Sequence, residues 1–168
     1  MQNPIYSPDR SRYFATVLQQ NPTACAQISG GDLYPSITGS VRFYQIPAGT
    51  LVAAQIFGLP NVGEPCRSKI FAFHIHEGKS CTGFRFVDTA GHYNPQNCDH
   101  PYHAGDMPPL FGNNGFAYSV FLTDRFSVDE VVGKTVVIHQ GIDDFTSQPA
   151  GNAGEKIACG RIERRTCY

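Results

Sequence analysis

The stretch FAFHIHEGKSC, residues 71–81, decides how the rest of the chain is read. In an extended strand, alternate side chains point to the same face. Phe71, Phe73 and Ile75 then face a core, and His74 and His76 stand side by side on the opposite face. Two neutral imidazoles on one rigid face make half of a metal site. Alone, the pair reads more readily as two solvated surface histidines. The surrounding sequence has to decide.

Outward from this stretch, short runs of Val, Ile, Phe and Tyr are broken by 17 glycines and 12 prolines. That is the punctuation of an all-β domain. Strands are predicted over 24–29, 37–45, 51–58, 70–77, 117–123, 135–140 and 157–162, with another around 84–87. One window, 10–20, carries the apolar repeat of a helix. The 168 residues fit one domain. Residues 1–22 are read as an N-terminal extension, disordered or a short helix, and 23–168 as the folded domain. Two segments, 78–115 and 141–156, are too long for hairpin loops, and loops of that length tend to be functional. The first holds His92, His100 and His103, and the second opens just after His139.

Charge excludes some classes. With 13 basic and 14 acidic residues the formal net charge is −1. That gives no electrostatic case for nucleic acid or an anionic membrane as partner. No apolar run approaches the roughly 20 residues that span a bilayer. The N-terminus lacks the basic-then-apolar pattern of a signal peptide, which predicts a cytoplasmic protein unless a leader has been removed. Six cysteines, an even number that permits disulfides, point the other way. Compartment stays open at this level.

The six histidines are His74, His76, His92, His100, His103 and His139, none of them in the N-terminal third. His139 sits in TVVIHQ beside valine and isoleucine, a poor place for an unpaired polar ring. A satisfied core histidine would explain that residue alone. It does not explain six histidines gathered on strand ends and one long loop. Asp106, in HAGD, adds a hard oxygen donor.

The motifs FHIHEG, GHYNP, HAGD, VVIHQGIDD and GNAGEKIACG, in that order across roughly 24–162, resemble the copper/zinc superoxide dismutase family. The resemblance implies a flattened eight-stranded Greek-key β-barrel, an immunoglobulin-like sandwich with two long functional loops. It implies copper on His74, His76, His92 and His139, and zinc on His92, His100, His103 and Asp106, with His92 shared. Asp143 would link the two sets by accepting from His74 and His100. His92 would carry a proton, and Lys156 would stand at the copper mouth where the family has arginine. The implied reaction turns superoxide anion into dioxygen and hydrogen peroxide, and a homodimer is possible. The alternative is a non-catalytic copper-binding protein, a chaperone or a store, on the same fold. A metal-free interaction module would have no reason to keep these histidines in register.

The same resemblance pairs Cys81 with Cys159, a bridge worth about 4 kcal/mol in the chain-entropy model. Cys25, Cys66, Cys98 and Cys167 have no family counterpart, and each reads as a free thiol. One alternative is a Cys25–Cys167 bridge, because the family's first and last strands are antiparallel neighbours whose outer ends meet. Three departures from the family stand out. The zinc segment is contracted, with His100 and His103 only three apart. The second loop, DDFTSQPAGNAGEK, is short and poor in charge, so it would steer substrate weakly. Lys156 keeps the charge of arginine but loses its planar fork.

Overall fold

The computed structural model describes residues 10–61, 69–164 and 167. Cys66 therefore lies outside the described residues. Strands β1 (Ala24–Gly30), β2 (Thr38–Ile46) and β3 (Gly49–Phe57) form an antiparallel meander. Their alternation decides their faces: Val41 and Phe43 of β2 and Val52 and Ile56 of β3 are fully buried in the main core. The outer face of β2 and β3 is covered by α1 (Arg10–Leu18), where Val17, flanked by Phe14 and Leu18, packs on Tyr44, Ile46, Leu51 and Ala53.

The remaining elements are β4 (Ile70–Phe71), β5 (Phe73–His76), β6 (Leu110–Phe111), β7 (Ala117–Thr123), α2 (Val128–Val131), β8 (Thr135–His139) and β9 (Lys156–Glu163). The sheet runs β5-β8-β9-β1-β2-β3-β7, with β4 and β6 paired separately. After β3 the chain crosses to the far edge for β5, returns beside β3 for β7, and crosses again for β8. This is an all-β Greek-key path around one core, as the motifs implied. The two long loops leave from the β5 and β8 ends of the sheet.

One strand expectation is corrected. Residues Phe84–Thr89 form a 3-10 turn, not a strand. Arg85 and Phe86 sit in the left-handed region, at φ 52° and 57°, which no β-ladder allows. Side-chain anchors hold the segment instead. Cys81 is bonded to Cys159, Arg85 pairs with Glu155 at 2.5 Å, and the Phe86 ring lies where a Cβ on Gly31 would come within 3.1 Å. Of the apolar residues in FRFV only Phe86 is sheltered; Phe84 and Val87 are exposed.

Both disulfides are present. Cys81–Cys159 ties the first long loop to β9, with Cα atoms 5.7 Å apart. Cys25–Cys167 joins the outer end of β1 to the chain beyond β9, with Cα atoms 5.8 Å apart. The free-thiol reading of Cys25 and Cys167 is thereby overturned. The register explains the bridge, since Cys25 stands opposite Glu163 near the end of β9. Cys98 is free and exposed.

Candidate metal centre

Strand parity builds the first half of the site. Phe73 and Ile75 pair with Ile138 and Val136 on the core side, so His74 and His76 face outward. A bulge follows Ile138, and His139 joins them on that outer side. The long loop then folds back along the free edge of β5. Ile75 N–H donates to Gly105 C=O, Tyr93 N–H to Ile75 C=O and Glu77 N–H to Gly91 C=O, at 2.8–2.9 Å. Gly105 is needed for this approach, because a Cβ there would lie 2.4 Å from the Ile75 oxygen. These bonds set His92 against His76 and Asp106 against His74 as isolated bridges. All six histidines end up buried, from His74 at 0 % to His92 at 9 % residue exposure.

Two adjoining donor sets result. The donor atoms of His74, His76, His92 and His139 lie within 4.8 Å of one another, and so do those of His92, His100, His103 and Asp106. Asp143 joins the sets by accepting from His74 Nε2 and His100 Nε2, both at 2.8 Å. Every sequence-predicted donor is therefore brought into one cluster, and the contracted segment from His100 to His103 still closes on Asp106. Lys156, the first residue of β9, stands opposite His139 in the sheet.

Proton bookkeeping tests whether cations fit. His76 Nδ1–H donates to Ala90 C=O at 2.9 Å and His139 Nδ1–H to Gly154 C=O at 3.2 Å. Both Nε2 atoms are then bare, and they face each other at 3.2 Å. Asp143 fixes the opposite tautomer on His74 and His100, whose Nδ1 atoms have no hydrogen-bond partner, and His92 Nε2 has none either. His100 Nδ1 nevertheless points at Asp106 Oδ2 from 3.0 Å. Lone pairs converging in a buried space repel unless a Lewis acid sits between them. The residues fit two metal ions. Imidazole suits copper, and three nitrogens with one carboxylate suit tetrahedral zinc.

Electrostatics agree with that tautomer pattern. Burial, helped by His74, holds His139 down at about 3 against an ordinary 6.5. Burial, with His139 and His92 alongside, holds His76 well below its ordinary value. Burial opposes ionising Asp143, yet bonds from His74, the Phe145 N–H and His100 outweigh it and hold the carboxyl at about 2. The metal-free protein should accordingly lose stability in acid. A histidine whose folded pKa is depressed gives its full contribution above its unfolded value of 6.5 and loses it as pH falls toward about 3. His76, held down by the same burial, adds to the loss in the same direction. Denaturant unfolding of the metal-free chain at about pH 7 and about pH 5 checks this, and equal stabilities would contradict it.

Several positioning groups carry no signal in the sequence. Arg125, just past β7, donates through Nη1 to the carbonyls of Pro101, Asp106 and His103 at 3.1, 3.2 and 3.3 Å. It clamps the short segment that carries His100, His103 and Asp106. Gln148, in the second long loop, clips the His100 backbone at both ends, accepting from its N–H at 3.0 Å and donating to its C=O at 2.8 Å. The second loop thus serves to hold a donor as well as to line the approach. Only the contraction between His100 and His103 hinted that outside support was needed.

A Greek-key barrel carrying two donor sets that share one histidine defines a dinuclear metalloprotein. Comparison with known proteins narrows the class. The copper/zinc superoxide dismutase (SODC) family profile matches residues 37–162. The chain belongs to that family of oxidoreductases, whose metals are copper and zinc. It is 34% identical over 141 residues to superoxide dismutase [Cu-Zn] 2 of Aquifex aeolicus, covering 75% of this chain and 79% of the relative. With superoxide dismutase [Cu-Zn] of Legionella pneumophila it shares 33% over 137 residues, 77% and 80% of the two chains. A superoxide dismutase-like protein of Bacillus subtilis matches over 105 residues at 30%, about half of each chain.

Proposed function

We propose that this chain catalyses superoxide disproportionation, with His74, His76, His92 and His139 holding copper and His92, His100, His103 and Asp106 holding zinc. Two superoxide anions and two protons give one dioxygen and one hydrogen peroxide. The observation that carries the reading is the convergence of bare imidazole nitrogens beside a half-buried lysine. Copper, when bound, supplies the one-electron exchange. The protein supplies attraction, orientation and a proton.

Lys156 gives the attraction. Its ammonium donates to Thr89 Oγ1 at 2.7 Å and to Ala90 C=O at 2.9 Å. The same Ala90 oxygen accepts from His76 Nδ1, so the cation lies two hydrogen-bond lengths from a proposed copper ligand. Charge focused in a narrow cleft raises the encounter rate of an anion, a steering effect for which this enzyme class is itself a standard example. His92 handles the proton. Its Nδ1 sits 2.7 Å from Asp106, and its Nε2 is bare. Nε2 can hold a proton and deliver it to the product.

Metal analysis together with a superoxide-consumption assay tests the reading. We expect about one copper and one zinc per chain and consumption that requires copper. Copper bound tightly without consumption would assign the chain as a copper carrier on the dismutase fold.

A further inference from the structure

We propose that Thr89 is a positioning residue for Lys156, its buried hydroxyl converting a mobile ammonium into a fixed anion anchor with a single N–H left free. The inference rests on the dismutase reading for the identity of the anion. Thr89 is 0 % exposed. Its hydroxyl hydrogen is committed to Phe86 C=O at 2.9 Å, which can only accept. The oxygen's lone pairs are thereby turned to the Lys156 ammonium, 2.7 Å away. Ala90 C=O takes a second ammonium hydrogen with one lone pair and His76 Nδ1–H with the other.

A lysine ammonium has three donors on a flexible stem and no preferred direction. With two donors spent on acceptors fixed in the loop, the third has one direction left, and the chain regains part of what an arginine fork provides through planarity. The loop is shaped for this purpose. Arg85, Phe86 and Ala90 all take left-handed backbone angles, a costly arrangement for residues other than glycine. It brings the Thr89 hydroxyl and the Ala90 carbonyl to the same ammonium. The Cys81–Cys159 bridge and the bond from Gly78 N–H to Thr89 C=O at 2.8 Å hold the turn in place.

The test compares wild type, Thr89→Val, which keeps the shape and loses the hydroxyl, and Thr89→Ser, which keeps the hydroxyl. Two readouts are used: the Lys156 side-chain ammonium resonance in the zinc-loaded, copper-free protein, and azide affinity at copper(II) followed spectroscopically. Wild type and Thr89→Ser should show an ammonium signal protected from water exchange, and Thr89→Val should lose it. Azide should bind about fivefold more weakly to Thr89→Val, the loss of one oriented hydrogen bond, and normally to Thr89→Ser. An unchanged signal and unchanged azide affinity in Thr89→Val overturn the proposal. So does failure of Thr89→Ser to restore them, which would make Thr89 a packing residue. If the copper-loaded wild type consumes no superoxide while the ammonium signal follows the hydroxyl, the dismutase reading falls and the positioning role stands.

Discussion

Replacing His139 with alanine is expected to bring superoxide consumption down to the rate of buffer alone while the barrel stays folded. His139 closes the first donor set, and its Nε2 is one of the two bare nitrogens that meet at 3.2 Å. Three imidazoles remain, and none of them can move into the gap, because His74 is fixed by Asp143 and His76 by Ala90. The fold does not depend on this ring. Val136 and Ile138 still face the core, and both disulfides remain. Metal-free stability should change by about 1 kcal/mol or less. Asp106→Ala should behave differently. Asp106 lies against His92, His100 and His103 at 2.7, 3.0 and 3.3 Å and also accepts the His103 N–H. Its loss frees the loop from the second donor set, so the thermal midpoint of the metal-loaded protein should fall well below that of His139→Ala. Equal midpoints in the two variants would count against the division of roles.

Lys156→Glu should slow the second-order reaction by about 10- to 100-fold at low ionic strength. The substitution replaces an attractive charge at the proposed copper ligands with a repulsive one, and it also removes the donor held by Thr89 and Ala90. Wild-type rates should drop as salt is added and the Debye length shortens, whereas the variant's should rise. Lys156→Arg should raise the rate, since a planar fork can present two parallel donors to a diatomic anion. Stopped-flow traces across a salt series separate these outcomes. Identical rates and salt slopes for wild type and Lys156→Glu would remove Lys156 from substrate guidance.

The period-two alternation of FAFHIH was enough to place His74 and His76 on one outer face, and the apolar flanks of His139 marked a ring that needed a partner. The donors proposed for zinc came through motif resemblance, because no periodicity links His100, His103 and Asp106. Segment 84–87 misled because an apolar run looks the same whether its side chains enter a core or, like Phe84 and Val87, face solvent. The Cys25–Cys167 bridge depended on strand register, which the sequence leaves open. Thr89, Arg125 and Gln148 act through one to three hydrogen bonds to distant backbone or side-chain groups. Such bonds leave no spacing to read.

The histidine donors of this centre are core residues by burial, and their lone pairs are aimed at one another. Selection for stability alone would discard them, since an apolar side chain of similar volume on β8 removes a buried polar atom and its opposition to His76. Each histidine is thus retained only while the metal is used. A lineage that ceases to need the reaction gains stability from its first ligand loss. Regaining the site is harder, because a returning histidine improves nothing until the other three are already in place. Loss of the metal centre on this barrel runs downhill in stability, and recovery runs uphill.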